Sequence, residues 1–430
     1  MADGMMATRT AHAALMRRVS LRLLPFLMLC YILSVIDRVN IGFAALSMNK
    51  ELGLTASIFG LGGGLFYISF FLFEVPSNLA LQRFGARRWI ARIMISWGLI
   101  SGCMALATGP NSFIALRFLL GAAEAGFFPG IILYLTYWFP PRERARIIAT
   151  FMVAIPAANF IGSPISGLLL GLDGVLGLQG WQWMFILEAA PTIAVGFACL
   201  FYLSDRPQTA SWLTEAERTT LAASIAAEEA ALAKPQPMSI WQVLSNRRVI
   251  LLGLIYAGSN VSSTGLTLWQ PQLIKSFGLS NLDTGLLNSI PFICGAIVMV
   301  LWSRRSDARA ERPLHTAIAL AMIAIGLFGC LFVNSLIPTI ALLCLAIIGT
   351  YAMKGPFWAL ATEQLAAGSA APGIAQVNAI ANLLSFLAPF LVGLIKDATG
   401  SYQIALLPIV FFAALATLLV LSLRKPAALS

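Results

Sequence analysis

Twelve apolar runs, each long enough to cross a bilayer as a helix, follow one another along this chain with mostly short polar breaks between them. A helix rises about 1.5 Å per residue and the hydrocarbon core is about 30 Å thick, so about 20 apolar residues suffice to span it. The runs lie near 21–45, 57–81, 89–108, 112–136, 146–171 and 182–204, then near 248–272, 283–303, 315–335, 337–362, 372–396 and 402–423. Hydrocarbon offers the backbone no hydrogen-bond partner, so a spanning segment must be a helix or a strand of a closed barrel, and runs of this length select the helix. The expected fold class is an all-α integral membrane protein with twelve transmembrane helices. Only 11% of the residues are charged, against about 25% in soluble domains, which leaves too little polar surface to wrap a water-soluble core.

Charge placement predicts the orientation. Of the 28 Lys and Arg residues, 22 fall in the N-terminal tail, at the loops after spans 2, 4, 6 and 8, or in the C-terminal tail, while the loop after span 10 has none. Lys50, Lys275 and Lys396 lie on the other side, and Arg38, Arg117 and Lys354 lie inside spans. The positive-inside rule then places both termini in the cytoplasm, which requires an even number of spans. The net charge of +10 reads accordingly as a cytoplasmic collar and not as a nucleic-acid footprint. No cleavable signal is expected, because the first apolar run follows Arg17, Arg18 and Arg22 and continues without a small-residue cleavage site.

The expected organisation is a cytoplasmic tail at 1–20, a six-helix half at 21–204, a cytoplasmic linker at 205–247, a second six-helix half at 248–423 and a tail at 424–430. Within the linker, Thr214-Glu215-Ala216-Glu217 has the spacing of a capping box opening a short helix. Equivalent basic turns follow span 2 (Gln82 to Arg88) and span 8 (Arg304 to Arg312), as expected of two repeated halves. Repeated halves around a midplane site are a transporter architecture, because rocking one half on the other exposes the site to each side in turn.

Other classes fit less well. The two histidines, His12 and His315, stand outside the spans or at a loop edge, and the six cysteines lie in apolar runs without metal-ligand spacing, so neither an enzyme centre, a metal site nor a disulfide framework is expected. No filter-like loop or ring of acids suggests a channel.

At its loop after span 2 the chain resembles the major facilitator superfamily, with Gln82 where the family usually carries an acid and Asn78 where it often has a glycine; Asp307 keeps an acid in the second copy. The finer resemblance is to the anion:cation symporter branch, through Ile36-Asp37-Arg38-Val39-Asn40-Ile41-Gly42 in span 1 and the stretch Arg117 to Gly130 in span 4. Glu74 to Asn78, Trp269 to Gln272, Gly355 to Leu360 and Ala375 to Asn382 extend it through nearly the whole chain. The resemblance implies the major facilitator fold and proton-coupled import of organic anions such as sugar acids, tartrate-like hydroxyacids or aromatic acids. It also implies proton coupling at Asp37 and Glu124 tuned by Arg117, anion binding at Arg38, gating by Arg83, Arg87 and Asp307, and a bacterial inner-membrane location.

The residues themselves argue in the same direction. A charge at the centre of a span costs about 2.5–3.5 kcal/mol on insertion scales, so each one calls for a partner or a task. Asp37 and Arg38 are consecutive, about 100° apart around the helix, so each addresses a different partner. Arg38 presents a planar, always protonated fork that matches a carboxylate. Glu124 sits among Gly121, Ala122, Ala123, Ala125 and Gly126, where close helix approach leaves a poorly hydrated carboxyl suited to carrying a proton. Lys354 would add a second cation, favouring a dicarboxylate, and Asn159, Asn260, Asn378, Asn382 and Trp358 would form a neutral wall that reads hydroxyls and stacks a carbon skeleton. Glu74 is assigned a structural or gating role, and Glu188, near the start of span 6, is not counted among the substrate residues. A monomer with no cofactor is expected, with H⁺ as coupling ion and Na⁺ left open. The rival is a drug–proton antiporter of the same fold, since Gly162 to Gly167 overlaps part of the antiporter glycine motif; two intramembrane cations argue for anionic cargo instead.

Overall fold

A computed structural model of the chain describes residues 2–231, 246–309, 311–365 and 370–423, and among these every regular element is helical. Twelve helices are long and apolar enough to cross a membrane: His12–Glu51, Ala56–Phe84, Ala86–Leu106, Pro110–Thr136, Pro141–Leu172, Gly180–Tyr202, Arg247–Lys275, Asn281–Arg309, Arg312–Phe332, Leu336–Gln364, Gly373–Thr399 and Tyr402–Ser422. They are called spans 1 to 12 below, and each overlaps the apolar run that predicts it. The segment expected as a tail at 1–20 is instead continuous with span 1 in one helix, Ala2–Glu51. Its length exceeds what the bilayer needs, because nothing in Ala2 to Leu21 breaks a helix and Pro25 comes after a full set of helix formers. The expected C-terminal tail at 424–430 and the linker portion at 232–245 lie outside the described residues.

Spans 1–6 and spans 7–12 meet along three seams: span 1 on span 7, span 2 on span 11, and span 5 on span 8. Water gives no hydrophobic drive between helices inside lipid, so such seams depend on close packing of small residues and on hydrogen bonds. At Gly60 of span 2 an added Cβ would run into the carbonyl oxygen of Pro389 on span 11, so only glycine permits that approach. On the same seam Asp397 accepts from the N–H groups of Ala56 and Ser57 at 2.9 and 2.8 Å, satisfying free donors at the start of span 2. Across the span 5 and span 8 seam, Asn288 Nδ2 donates to Ser163 Oγ at 2.9 Å. These contacts close the end of the molecule remote from the chain termini.

At the terminal end, the capping box is present: Glu217 accepts from the Thr214 N–H at 2.9 Å, and the Glu217 N–H donates to Thr214 Oγ1 at 3.3 Å. It opens the linker helix Glu215–Ala231. Arg18 of the long first helix donates to Glu217 at 2.8 Å, and Trp212 stacks on Trp138 at the end of span 4 with ring centroids 5.5 Å apart. The linker thus docks on spans 1–6 through an ion pair and an aromatic stack.

Candidate functional site

Where spans 1, 2, 4 and 5 face spans 7, 10 and 11, they leave a cavity of about 1070 Å³, its mouth included. Its lining lies near the middle of the spans and toward the terminal end, opposite the closed seam. Spans 1–5 line it with Tyr31, Arg38, Phe66, Tyr67, Phe70, Glu74 and Asn159, and spans 7–11 with Tyr256, Asn260, Tyr351, Lys354, Asn378 and Asn382. Both predicted cations and all four predicted asparagines therefore share one cavity. Trp358 is outside the lining; it packs on Tyr256 with centroids 4.8 Å apart, and Tyr256 is the ring that reaches the cavity.

Arg38 has a quarter of its side chain exposed, and its guanidinium pairs with Glu124: Nε donates to Oε1 at 2.9 Å and Nη2 lies 2.7 Å from the same oxygen. Ser34, one turn earlier on span 1, donates its hydroxyl to that oxygen at 2.6 Å. The other oxygen, Oε2, is buried with no hydrogen-bond partner. The local sequence explains the burial. Span 4 breaks just after Glu124, where Ala125 leaves the helix and Gly126 takes a left-handed φ of 83° before a new helix starts at Phe127. At Gly121, an added Cβ would strike the Phe66 carbonyl and the Ser69 hydroxyl, so the small residue lets span 2 press against the Glu124 turn.

Asp37 turns away from the cavity, as its position next to Arg38 requires. It accepts from Trp97 Nε1 at 2.9 Å and from the Ser101 hydroxyl, both on span 3, and weakly from Asn40 at 3.4 Å. Arg117 is buried, lies over the Phe66 ring at 4.9 Å, and makes no ion pair among the described residues. Arg38 approaches the same ring at 5.8 Å, so Phe66 carries a guanidinium contact from each of spans 1 and 4. Lys354 forms no ion pair among the described residues and has its Nζ 4.8 Å from the Tyr351 ring. Asn260 donates to Asn382 at 2.9 Å, and Asn159 donates to Ile155 O at 2.9 Å and faces the Tyr351 hydroxyl at 3.5 Å. The cavity thus holds a guanidinium paired with an acid, a free ammonium, an acid at Glu74, four amides and four tyrosines.

Several of these residues are absent from the sequence-based site. Tyr31 is two turns before Arg38, Tyr351 one turn before Lys354 and Tyr256 one turn before Asn260, so helical spacing from the predicted polar residues identifies the tyrosines as facing the same cavity. Ser34, Trp97 and Ser101 carried no such signal, because the faces of spans 1, 3 and 4 that meet are set by packing.

Residues 27–392 match the Major Facilitator Superfamily. The chain belongs to the major facilitator superfamily. As a relative, a protein of Agrobacterium vitis described as a candidate tartrate transporter is 50% identical over 90% of this chain and 89% of its own length. A quinolone resistance transporter of Acinetobacter baumannii is 40% identical over 90% of this chain and 89% of its own length. In fold, the chain is similar to a bacterial homolog of the human lysosomal transporter Spinster in its inward-facing, unoccupied conformation, with a TM-score of 0.78 at 18% identity, covering 95% of this chain and 99% of that one. The protein is a multi-pass membrane transporter and not an enzyme.

In this superfamily member the loop after span 2 docks within its own half. Arg87 donates its N–H to Asp205 Oδ1 at 2.8 Å, and Gly85, at φ 88°, leaves room for that carboxylate beside it. Arg83 lies against Phe84, with its guanidinium carbon 5.6 Å from the ring centroid, and Asp307 is exposed; neither makes an ion pair among the described residues. The acid that receives this loop is thus Asp205, at the end of span 6, a residue the sequence-based site lacks.

Proposed function

We propose that this transporter imports a small organic anion, with a hydroxylated dicarboxylate as the best-fitting class, by proton symport through alternating access. The observation that carries the reading is the pairing of Arg38 with Glu124 in a cavity that also holds Lys354. Arg38 has two possible anionic partners, the Glu124 carboxylate and a substrate carboxylate. While Glu124 is ionised it occupies the guanidinium. A proton placed on the partnerless Oε2 removes the charge that holds Arg38, and the planar fork becomes available to the cargo. Substrate and proton therefore bind as a pair, and release of one favours release of the other.

Lys354, on the opposite half, supplies the second positive charge that a dicarboxylate needs, and the asparagine and tyrosine groups supply donors and acceptors for hydroxyls. The tartrate description of the Agrobacterium relative supports this substrate class. Asp37 acts as a second coupling acid behind the cavity, and Arg117 tunes the pair of acids. The basic collar supports a cytoplasmic position for both termini in a bacterial inner membrane, so the cavity opens inward and the Asp397 seam is periplasmic. A monomer suffices, because one chain builds the whole cavity.

The test is uptake into proteoliposomes of labelled mono- and dicarboxylates under an imposed inward proton gradient. Accumulation that collapses with a protonophore is the expected result. Failure of every acid to accumulate, with quinolone expelled against the gradient, would establish the antiporter reading favoured by the Acinetobacter relative.

A further inference from the structure

A third carboxyl, after Asp37 and Glu124, is buried inside spans 1–6, on the side of Asp37 away from the termini. Glu188 of span 6 is buried; its Oε1 accepts from Ser166 Oγ at 2.8 Å, and its Oε2 has no hydrogen-bond partner although it is sealed from solvent. No Lys, Arg or His pairs with it among the described residues. Span 3 meets span 6 here through Gly98 and Gly102 against Ile193 and Ala189, and span 5 offers Ser166, so both neighbours are neutral at this level. Span 1 packs on span 6 and brings Asp37 and Asn40, whose amide donates to Asp37 at 3.4 Å. A buried carboxylate without a cation is expensive, whereas a carboxylic acid is not, and the free oxygen is where a proton fits.

We infer that Glu188 is a third proton-carrying residue of this transporter, after Glu124 and Asp37, set beside Asp37 and Asn40 and lying between Asp37 and the outer face. This rests on the proton-symport reading above. The step is a proton transfer alone: once the outer seam opens, hydronium from outside gives its proton to Glu188 and leaves as water, and passing that proton on to Asp37 restores the Glu188 carboxylate and neutralises Asp37. Two acids so joined titrate as a pair, so the pair, and not Asp37 by itself, sets the external pH at which uptake responds. Glu188 touches no cargo and acts through Asp37.

Glu188→Gln in proteoliposomes tests it. The measurements are dicarboxylate counterflow at equal pH and gradient-driven uptake across a range of external pH. The expected result is counterflow close to the unmodified protein, with gradient-driven uptake about tenfold lower and its pH profile missing one ionisation. An unchanged profile would overturn the inference while leaving the symport reading standing. Equal loss of counterflow and uptake, restored in full by Glu188→Asp with an unaltered profile, would make the residue structural and also overturn it. Should Glu188→Gln fail to assemble, the Glu188→Asp profile decides: displaced if the residue carries a proton, coincident with the unmodified profile if it does not. No gradient-driven uptake by the unmodified protein would overturn both readings together.

Discussion

Arg38 and Glu124 make opposite demands on one ion pair: it must hold in the empty cavity and yield when cargo and proton arrive. Replacing Arg38 with Gln removes the fork and leaves the neutral amide, so anion binding should weaken about a hundredfold or more, the order seen when one partner of a buried charged pair is lost; isothermal titration or a scintillation proximity assay reads it directly. Glu124→Gln mimics the protonated acid and frees Arg38 permanently. Counterflow should persist, while uptake should no longer respond to a pH gradient. Lys354 discriminates between cargo classes. Lys354→Gln should cost a dicarboxylate about tenfold more affinity than a monocarboxylate, since only the former uses a second cation; equal losses would place Lys354 outside the binding set. At this scale the sequence was informative where a charge stood inside an apolar run, because its insertion cost marks it. It was silent on Ser34, Trp97 and Ser101, ordinary residues of apolar spans whose role comes only from the helix they face.

The elements that must move are the seams between spans 1–6 and 7–12. Asp397 at the end of span 11 caps the start of span 2, a contact that can exist only while the outer end is closed. Asp397→Asn keeps the shape and loses the charge, so the outward-open state should gain about 1 kcal/mol, roughly a fivefold shift in population. Labelling of a cysteine placed in the cavity beside that seam would report it as faster modification from the side opposite the termini. The linker carries a pH-dependent contact outside the membrane. The Thr214 N–H, followed by its hydroxyl and Arg18, holds Glu217 below the usual carboxylate range. Its folded pKa is depressed, so the docking it supports is present above the ordinary value of about 4.3 and is lost as pH falls through the lowered one. The protection factors of amides in Glu215–Ala231, exchange measured relative to the intrinsic rate at each pH, should therefore fall on acidification, and Glu217→Gln should show that lower protection already at neutral pH. The capping box was legible as a four-residue spacing. The Asp397 cap was not, because it joins residues more than three hundred positions apart through a fold that only packing defines.

For the whole molecule, the run of twelve apolar segments and the spread of basic residues suffice for fold and architecture, since span length and backbone hydrogen bonding leave a bilayer protein few choices. At the site, Arg38, Lys354 and the four asparagines singled out by polarity inside apolar runs do line one cavity. Trp358 lies behind the lining, on Tyr256, because aromaticity does not say which face of span 10 it takes. The partner of the basic loop after span 2, Asp205, was not legible, because it stands outside the spans and reaches the loop only through the packing of span 6. In the proposed proton symport the cavity, its paired cation and the outer seam act as one device. The most direct test is accumulation of a labelled hydroxydicarboxylate in proteoliposomes under an inward proton gradient, measured for the unmodified protein and for Glu124→Gln. Gradient-driven accumulation that protonophore abolishes and that Glu124→Gln lacks while retaining counterflow is the predicted result. Accumulation by Glu124→Gln that still follows the gradient would contradict the coupling of proton to cargo through the Arg38 and Glu124 pair.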